Sequence, residues 1–452
     1  MIRTATVSFL MAIAAAMAPA HAEGATTGER AERMPILTER DRAALEDAWL
    51  ESRLDHLVPS LMREYGIDMW VLVAREYDED PVVETMLPAT WLSARRRTVL
   101  VFSDNGETVE RFAVARYPVG TLFSSAWNPE EQPDQWQRLA DLIVEADPET
   151  IAVNTSSLHS LADGIAHTQY EELSKALPRR YRRRMVSAED LALGWLETRS
   201  AAEMEVYPGI VRIAHDIIDE AFSSAVITPG VTTPDDVRWW MRDKVTELGM
   251  EVWFHPSVQI QRTDQYTPTD SGQTLPNGDV IRPGDLLWVD FGITYLGLNT
   301  DTQQHAYVLR PGETEAPEGL RAGLAALNRT TDHLTKAFRT GLTSNEILAL
   351  ARNAAIADGL RPSYYSHGIG YHGHGGGSPI GWWDDQSTDH PMGQRPLRPH
   401  TAWSIELNTT VSVPEWGGQD VEFRAEEDAY FDGERVRYLD GRQTRLHLIP
   451  SE

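Results

Sequence analysis

Residues 288–301 read WVDFGITYLGLNTD and carry two aspartates, Asp290 and Asp301, eleven positions apart among strand-forming neighbours. Asp290 directly follows Leu286, Leu287, Trp288 and Val289. A carboxylate on an apolar strand must be paired, hydrogen-bonded or bound to a metal, because burying it alone is costly. The alternative is a strand end at which Asp290 caps a turn into Gly292. Two later segments repeat the question. In TAWSIELNTTVSV, Ile405, Leu407, Val411 and Val413 share one strand face, and Ser404, Glu406, Asn408 and Thr410 share the other. In DVEFRAEEDAYF, Val421, Phe423 and Ala425 alternate with Glu422, Arg424, Glu426 and Asp428. Glutamates on polar strand faces fit a metal site and fit a solvated sheet surface equally well. Between the aspartates and glutamates lies SHGIGYHGHGGGSP, which sets His367, His372 and His374 in a glycine-dense loop. Glycines there let backbone and imidazoles approach a ligand closely. No Gly-Lys-Ser/Thr ending follows, as a phosphate loop requires. A surface loop with incidental histidines remains the plain alternative.

The elements around these residues are legible from their punctuation. Ser200 and Glu203 form a capping box that opens a helix reaching about residue 226, interrupted at Pro208 and Gly209. Thr233 followed by Pro234 starts a second helix, closed by Gly249. Two more helices run over about 316–339 and 344–358, the latter opened by Ser344 or Thr343 and closed by Gly359. Strands are expected at 286–293, 298–309, 402–413 and 420–431. Helices in pairs with antiparallel-looking strands make this region α+β. Upstream, a helix over about 41–64, the strands DMWVLVA and RTVLVFS, the helix DQWQRLADLIVEA and the strand ETIAVNTS alternate as in an α/β domain.

The chain of 452 residues is too long for one ordinary core, so two or three domains are expected, with a boundary near 188–198. Residues 1–22 read as a cleavable secretory signal, with Arg3, a short apolar run over 7–17 and small residues Ala20 and Ala22 at the cleavage site. Residues 23–40 read as a disordered lead, 41–190 as the N-terminal domain and 191–452 as the C-terminal domain. A periplasmic or secreted location is the corresponding expectation. The absence of cysteine removes disulfides, thiolate metal sites and thiol nucleophiles. With 68 acidic against 41 basic residues, a formal charge of −27 argues against nucleic acid or an anionic membrane as partner. The basic runs at 93–98 and 178–185 read as solvated faces or as contacts with an acidic neighbouring surface.

Two aspartates, a histidine in a glycine loop and two glutamates, in that order, resemble the ligand set of the pita-bread metallohydrolases, the family of methionine aminopeptidase, aminopeptidase P, prolidase and creatinase. The resemblance is specific over about 195–452 and general over about 40–185, where longer members carry a smaller creatinase-type α/β domain. It implies a C-terminal pita-bread catalytic domain with Asp290, Asp301, His367, Glu406 and Glu426 as metal ligands. Asp290 would be bidentate to one ion, Asp301 and Glu426 would bridge, and His367 with Glu406 would complete the other ion. Two divalent ions follow, manganese first, with cobalt, zinc or iron as alternatives for so oxygen-rich a set. Glu406 would act as general base, His374 would hold the substrate or the developing oxyanion, and Arg424 would support the ligands. The implied activity is cleavage of the N-terminal bond of short peptides, Xaa-Pro among them, by an aminopeptidase or dipeptidase. Relatives are often dimers, which leaves a homodimer open.

The departures matter as well. Seventeen residues before Asp290, where the family's peptidases usually have a catalytic histidine, stands Gln273. His255 in WFHPSV is the nearest upstream histidine and a candidate for that role. Leu407 and Asn408 follow Glu406 where relatives often have Pro-Gly, and Thr302, Gln303, Gln304 and His305 follow Asp301 in place of the usual Thr-Arg-Thr ending. These differences leave room for a hydrolase of other C–N or ester bonds, or for an inert metal-binding relative.

Overall fold

The computed structural model describes residues 30–263 and 280–451. The N-terminal region contains helix α1 (Glu39–Tyr65), strands β1 (Met69–Arg75), β2 (Arg97–Asp104), β3 (Val109–Val114) and β4 (Ser124–Ser125), and helix α2 (Gln135–Ala146). Strand β5 (Ile151–Val153), helix α3 (His167–Ala176), strand β6 (Met185–Ser187) and helix α4 (Glu189–Glu197) follow, with shorter helical turns between. The six strands form one sheet in the order β4-β3-β2-β1-β5-β6. Strands β3, β2 and β1 pair antiparallel, and β1, β5 and β6 pair parallel. Met69, Val71 and Val73 pack against α2 and α3, while Trp70, Leu72 and Ala74 pack against α1 and α4. Burial on both faces explains why β1 reads as an unbroken apolar run. In the basic run, Arg180 and Arg184 both pair with Asp147.

The C-terminal region begins with α5 (Ala201–Ala221) and α6 (Pro234–Glu247), then β7 (Ser257–Gln261), β8 (Leu286–Phe291) and β9 (Thr302–Val308). Helices α7 (Glu318–Ala337) and α8 (Ser344–Ala357) follow, then β10 (Pro362–Tyr364), β11 (His367–Gly368), β12 (Thr401–Val413), β13 (Gln419–Phe431), β14 (Val436–Tyr438) and β15 (His447–Ile449). The main path through the sheet is β10-β12-β13-β9-β8-β7, with β11 on β12, β14 on β13 and β15 on β9. The capping box expected at Ser200 and Glu203 is present, and Thr343 caps α8 in the same way with Glu346.

Two details differ from the sequence reading. Pro208 lies inside α5 and does not interrupt it. A proline there costs roughly 3 kcal/mol, but α5 buries Ile210, Val211, Ile213, Ile217 and Ile218, each worth about 1.5–3 kcal/mol. Packing therefore wins. The second difference concerns the lead. From residue 30 onward the chain lies against the C-terminal region: Arg30 pairs with Asp219, Met34 joins the core, and the Leu37 amide donates to the Tyr295 hydroxyl at 2.7 Å. The signal segment, 1–22, lies outside the described residues.

The packing sets which residues face the site. On β8, Leu287, Val289 and Phe291 join the core that also holds α5 and α6, so Trp288 and Asp290 point to the other face. On β12, Ile405 and Leu407 join the core with α7 and α8, so Ser404 and Glu406 face away from it.

Candidate metal centre

Strand register brings the acidic residues together. Asp290 stands directly opposite Gln303, Gln303 opposite Glu426, and Glu426 opposite Glu406. The four residues form one row across β8, β9, β13 and β12. Asp301, immediately before β9, is held by its backbone amide, which donates to Asp428 at 3.1 Å. His367 on β11 lies opposite Ser404. Its Nε2 is 3.8 Å from Asp301 Oδ2, 3.9 Å from Glu406 Oε2 and 3.4 Å from Glu426 Oε1.

The glycine loop brings in His374. A side chain at Gly373 would collide with the Trp253 ring at 2.5 Å, and one at Gly375 would meet the Gly368 carbonyl at 2.6 Å. Only glycine lets the loop fold so tightly, and the His367 and His374 rings end 4.8 Å apart. The loop is anchored by Tyr371, whose hydroxyl donates to Glu203 at 2.7 Å. Glu203 is buried between Arg53 of α1 and Arg199. Although burial opposes its charge, those two guanidinium groups hold its carboxyl down to about 2. His372 takes no place in the acidic cluster; burial lowers its pKa, and its ring bonds to the Pro81 backbone of the N-terminal region.

Three overlapping groups have the spacing to hold a metal ion: Asp290, Asp301 and Glu426; His367, Glu406 and Glu426; and Asp301, His367 and His374. Ligands about 2.1 Å from a common ion can lie at most about 4.2 Å apart, and the His367 separations fall inside that limit. Asp301 Oδ1 and His367 Nε2 are buried without a hydrogen-bond partner among the described residues. Such orphaned atoms suit coordination. Asp290, Asp301 and Glu406 all have pKa values pushed well above the carboxylate range, by burial first and then chiefly by the Glu426 charge. Divalent cations would supply the missing positive charge. The donor set therefore fits the ions the family resemblance implies.

His255 does not join this cluster. It is exposed, its ring lies 5.1 Å from that of Trp239, and its Nδ1 is 3.5 Å from Arg242, both on α6. The WFH segment reaches the site instead through Trp253, whose ring lies 5.3 Å from that of His374. Gln273 falls in 264–279, outside the described residues. Arg424 lies over the Trp288 ring at 4.7 Å and pairs with Glu422, and its positive charge favours the ionised forms of Asp290 and Glu406. The sequence reading missed Gln303, Trp253 and Tyr365. The Tyr365 ring stacks on Trp382 at 5.7 Å and lies 5.4 Å from His367. Its phenol is pushed up by burial and then by Glu406, Glu426 and Asp301. An aromatic wall thus flanks the histidines, and only the density of aromatics at 364–383 could have hinted at it.

Residues 209–428 match the model described as metallopeptidase family M24. The catalytic domain belongs to that family. It is a metallopeptidase domain, and M24 enzymes use divalent metal ions. No curated protein matches the chain. Among solved structures it is similar to an X-Pro aminopeptidase from Thermotoga maritima MSB8, at 15% identity over 86% of this chain and 99% of that one, with a TM-score of 0.62. It is also similar to an Xaa-Pro dipeptidase from Bacillus anthracis, at 18% identity over 90% and 99% with a TM-score of 0.55. A recombinant prolidase from Thermococcus sibiricus matches at 15% identity over 88% and 99%, with a TM-score of 0.57. At these identities the likeness is one of fold, and it spans both the N-terminal and the catalytic regions. No described helix is long and apolar enough to cross a membrane.

Proposed function

We propose that this M24 metallopeptidase uses two divalent ions, manganese first among the candidates, to hydrolyse the N-terminal peptide bond of short peptides, Xaa-Pro bonds among them. The observation that carries the two-ion reading is the sharing of Glu426 and Asp301 between overlapping ligand groups. Asp290 would help hold one ion and His367 with Glu406 the other, with Asp301 and Glu426 available to both. A pair of such ions, when bound, polarises the substrate carbonyl and makes water nucleophilic near neutral pH. The chain's own residues do the rest. Glu406, half-buried at the edge of the row, is placed to take the water's proton as general base and deliver it to the leaving amine. Solvent reaches His374, yet its packed surroundings and the neighbouring His367 lower its pKa. It therefore presents a neutral imidazole, whose N–H can donate to the carbonyl oxygen as negative charge develops there. The Xaa-Pro preference is supported by the X-Pro aminopeptidase and Xaa-Pro dipeptidase among the similar structures and by the aromatic wall of Tyr365 and Trp382, against which a pyrrolidine ring can pack.

Export belongs to the same proposal and is supported by the composition of residues 1–22. A peptidase outside the cytoplasm would meet short peptides from the medium or from protein breakdown. The test of activity is a panel of Xaa-Pro, Xaa-Ala and longer Xaa-Pro-Yaa peptides, assayed after adding manganese, cobalt or zinc to chelator-treated protein. Release of the N-terminal residue that depends reversibly on metal is expected. Full activity without metal, or no cleavage of any peptide with any metal, overturns the proposal.

A further inference from the structure

Gln303 occupies the middle of the acidic row and is its one neutral member, with Asp290 directly opposite on one side and Glu426 on the other. Like charges directly opposite each other on neighbouring strands repel. A fourth carboxylate at this position would add to a cluster whose members are already hard to ionise. An amide instead brings two N–H donors. Both are used: Gln303 Nε2 donates to Glu406 Oε1 at 2.8 Å and to Glu426 Oε2 at 2.7 Å. The other end of the amide is fixed too, because its Oε1 accepts from the Trp288 indole N–H at 3.0 Å. Indole only donates, so this contact settles which end of the amide meets the glutamates. Gln303 is buried, and so is Trp288 beneath the Arg424 guanidinium.

The remaining carboxylate oxygens face the other way. Glu406 Oε2 and Glu426 Oε1 are the atoms near His367, and Glu426 Oε1 also accepts from Ser404 Oγ at 2.6 Å. One amide therefore fixes the rotation of both carboxylates and the gap between them. We propose that Gln303 is a positioning residue of the metal centre, clasping Glu406 and Glu426 so that their other oxygens meet a cation in a set orientation. This inference rests on the metal reading of the site proposed above.

The test uses the full chain, stripped of metal, and measures manganese and zinc affinity by competition with a chelating dye. Gln303→Met keeps the length and removes both donors. Gln303→Thr keeps one donor on a shorter arm. Trp288→Phe keeps the ring over which Arg424 lies and removes the N–H that orients the amide. Loss of a residue that orients ligands typically weakens metal binding on the order of 10- to 100-fold. That loss is expected for Gln303→Met, with a smaller loss in the same direction for Gln303→Thr and Trp288→Phe. In manganese-saturated enzyme, Gln303→Met should recover turnover more fully than metal affinity, which a general loss of folding would not allow. If wild type binds metal and the Gln303 and Trp288 variants bind it equally tightly, the inference falls while the peptidase proposal stands. If wild type itself binds no divalent ion, the metal reading falls and takes the inference with it.

Discussion

His215 on α5 offers a test of how the ligand strand is held from behind. The residue is 3% exposed, with Nδ1 2.6 Å from Asp440 Oδ2 and Nε2 2.9 Å from Glu427 Oε2. Glu427 directly follows Glu426, so the contact pins the backbone that presents a proposed bridging ligand. Arg212, one turn earlier, also reaches Asp440 at 3.1 Å, and Asp428 and His447 are the other titratable groups close enough to matter. Burial opposes a charge on the imidazole, but Glu427 and Asp440 together raise its pKa from 6.5 to about 10. The folded value lies above the unfolded one. The stabilisation is therefore complete below pH 6.5 and is lost as pH rises toward about 10. Between those limits the loss runs at about 1.4 kcal/mol per pH unit, and over the whole window it is on the order of 5 kcal/mol.

The perturbation is His215→Gln, which keeps hydrogen-bonding capacity and removes the titrating charge. Urea unfolding of both proteins in excess chelator excludes any contribution from metal binding. At pH 6.5 the variant should be less stable by several kcal/mol, because two buried carboxylates lose their cation; breaking a buried pair typically costs about 3–5 kcal/mol. By pH 8.5 the gap should have narrowed by about 2 to 3 kcal/mol, since the wild type alone gives up a proton in that range. Groups common to both proteins cancel in the difference. A gap that stays constant from pH 6.5 to 8.5 refutes the charged imidazole, and a gap that widens refutes the sign.

Three further outcomes follow from the site. Asp301→Ala and Glu426→Ala should each lose metal and activity together, as read by elemental analysis and peptide hydrolysis; retention of two metal equivalents with normal turnover would show that neither residue bridges. His374→Ala should lower turnover on the order of 100-fold with metal content unchanged, whereas His367→Ala should lose metal. His255→Ala should leave turnover close to wild type, because that side chain rests on Trp239 and Arg242 at the surface; a loss as large as that of His374→Ala would place it in the chemistry after all.

The fold was most legible where a local rule has a local cause. Thr233 with Asp236, Ser200 with Glu203 and Thr343 with Glu346 each satisfy orphan amides at a helix start, and all three helices begin where those residues put them. Pro208 shows the limit of such rules: its cost is local, while the burial of the α5 face that overrides it comes from distant residues. The packed lead at 30–38 was illegible for the same reason. Its polar composition says nothing of Asp219, Tyr295 or the apolar pocket that receives Met34.

The site divides in the same way. Period-two alternation was enough to turn Glu406 away from Ile405 and Leu407, but it could not say whether that face was solvated or closed over a cluster. The answer lies in strand register, which pairs Glu406 with Glu426, Glu426 with Gln303 and Gln303 with Asp290 across two pairs of neighbouring strands that lie far from each other in the chain. Register also explains why Gln303 escaped notice. As one member of Thr302, Gln303, Gln304 and His305 it reads as a departure from a family ending, with no sign that two glutamates more than 100 residues away share its amide. His255 failed as a candidate from the opposite direction, since nearness in sequence to a catalytic region placed it there. Two residues earlier, Trp253 fits between Gly292 and Gly373, where any side chain on either glycine would strike its ring. The indole N–H donates to the Thr300 carbonyl at 2.8 Å, which ties the same ring to the residue before Asp301. One tryptophan thus touches both the histidine loop and the aspartate turn, and it holds His374 and Asp301 in a common frame. The segment's contribution to the site is that frame, and its histidine is left on the surface.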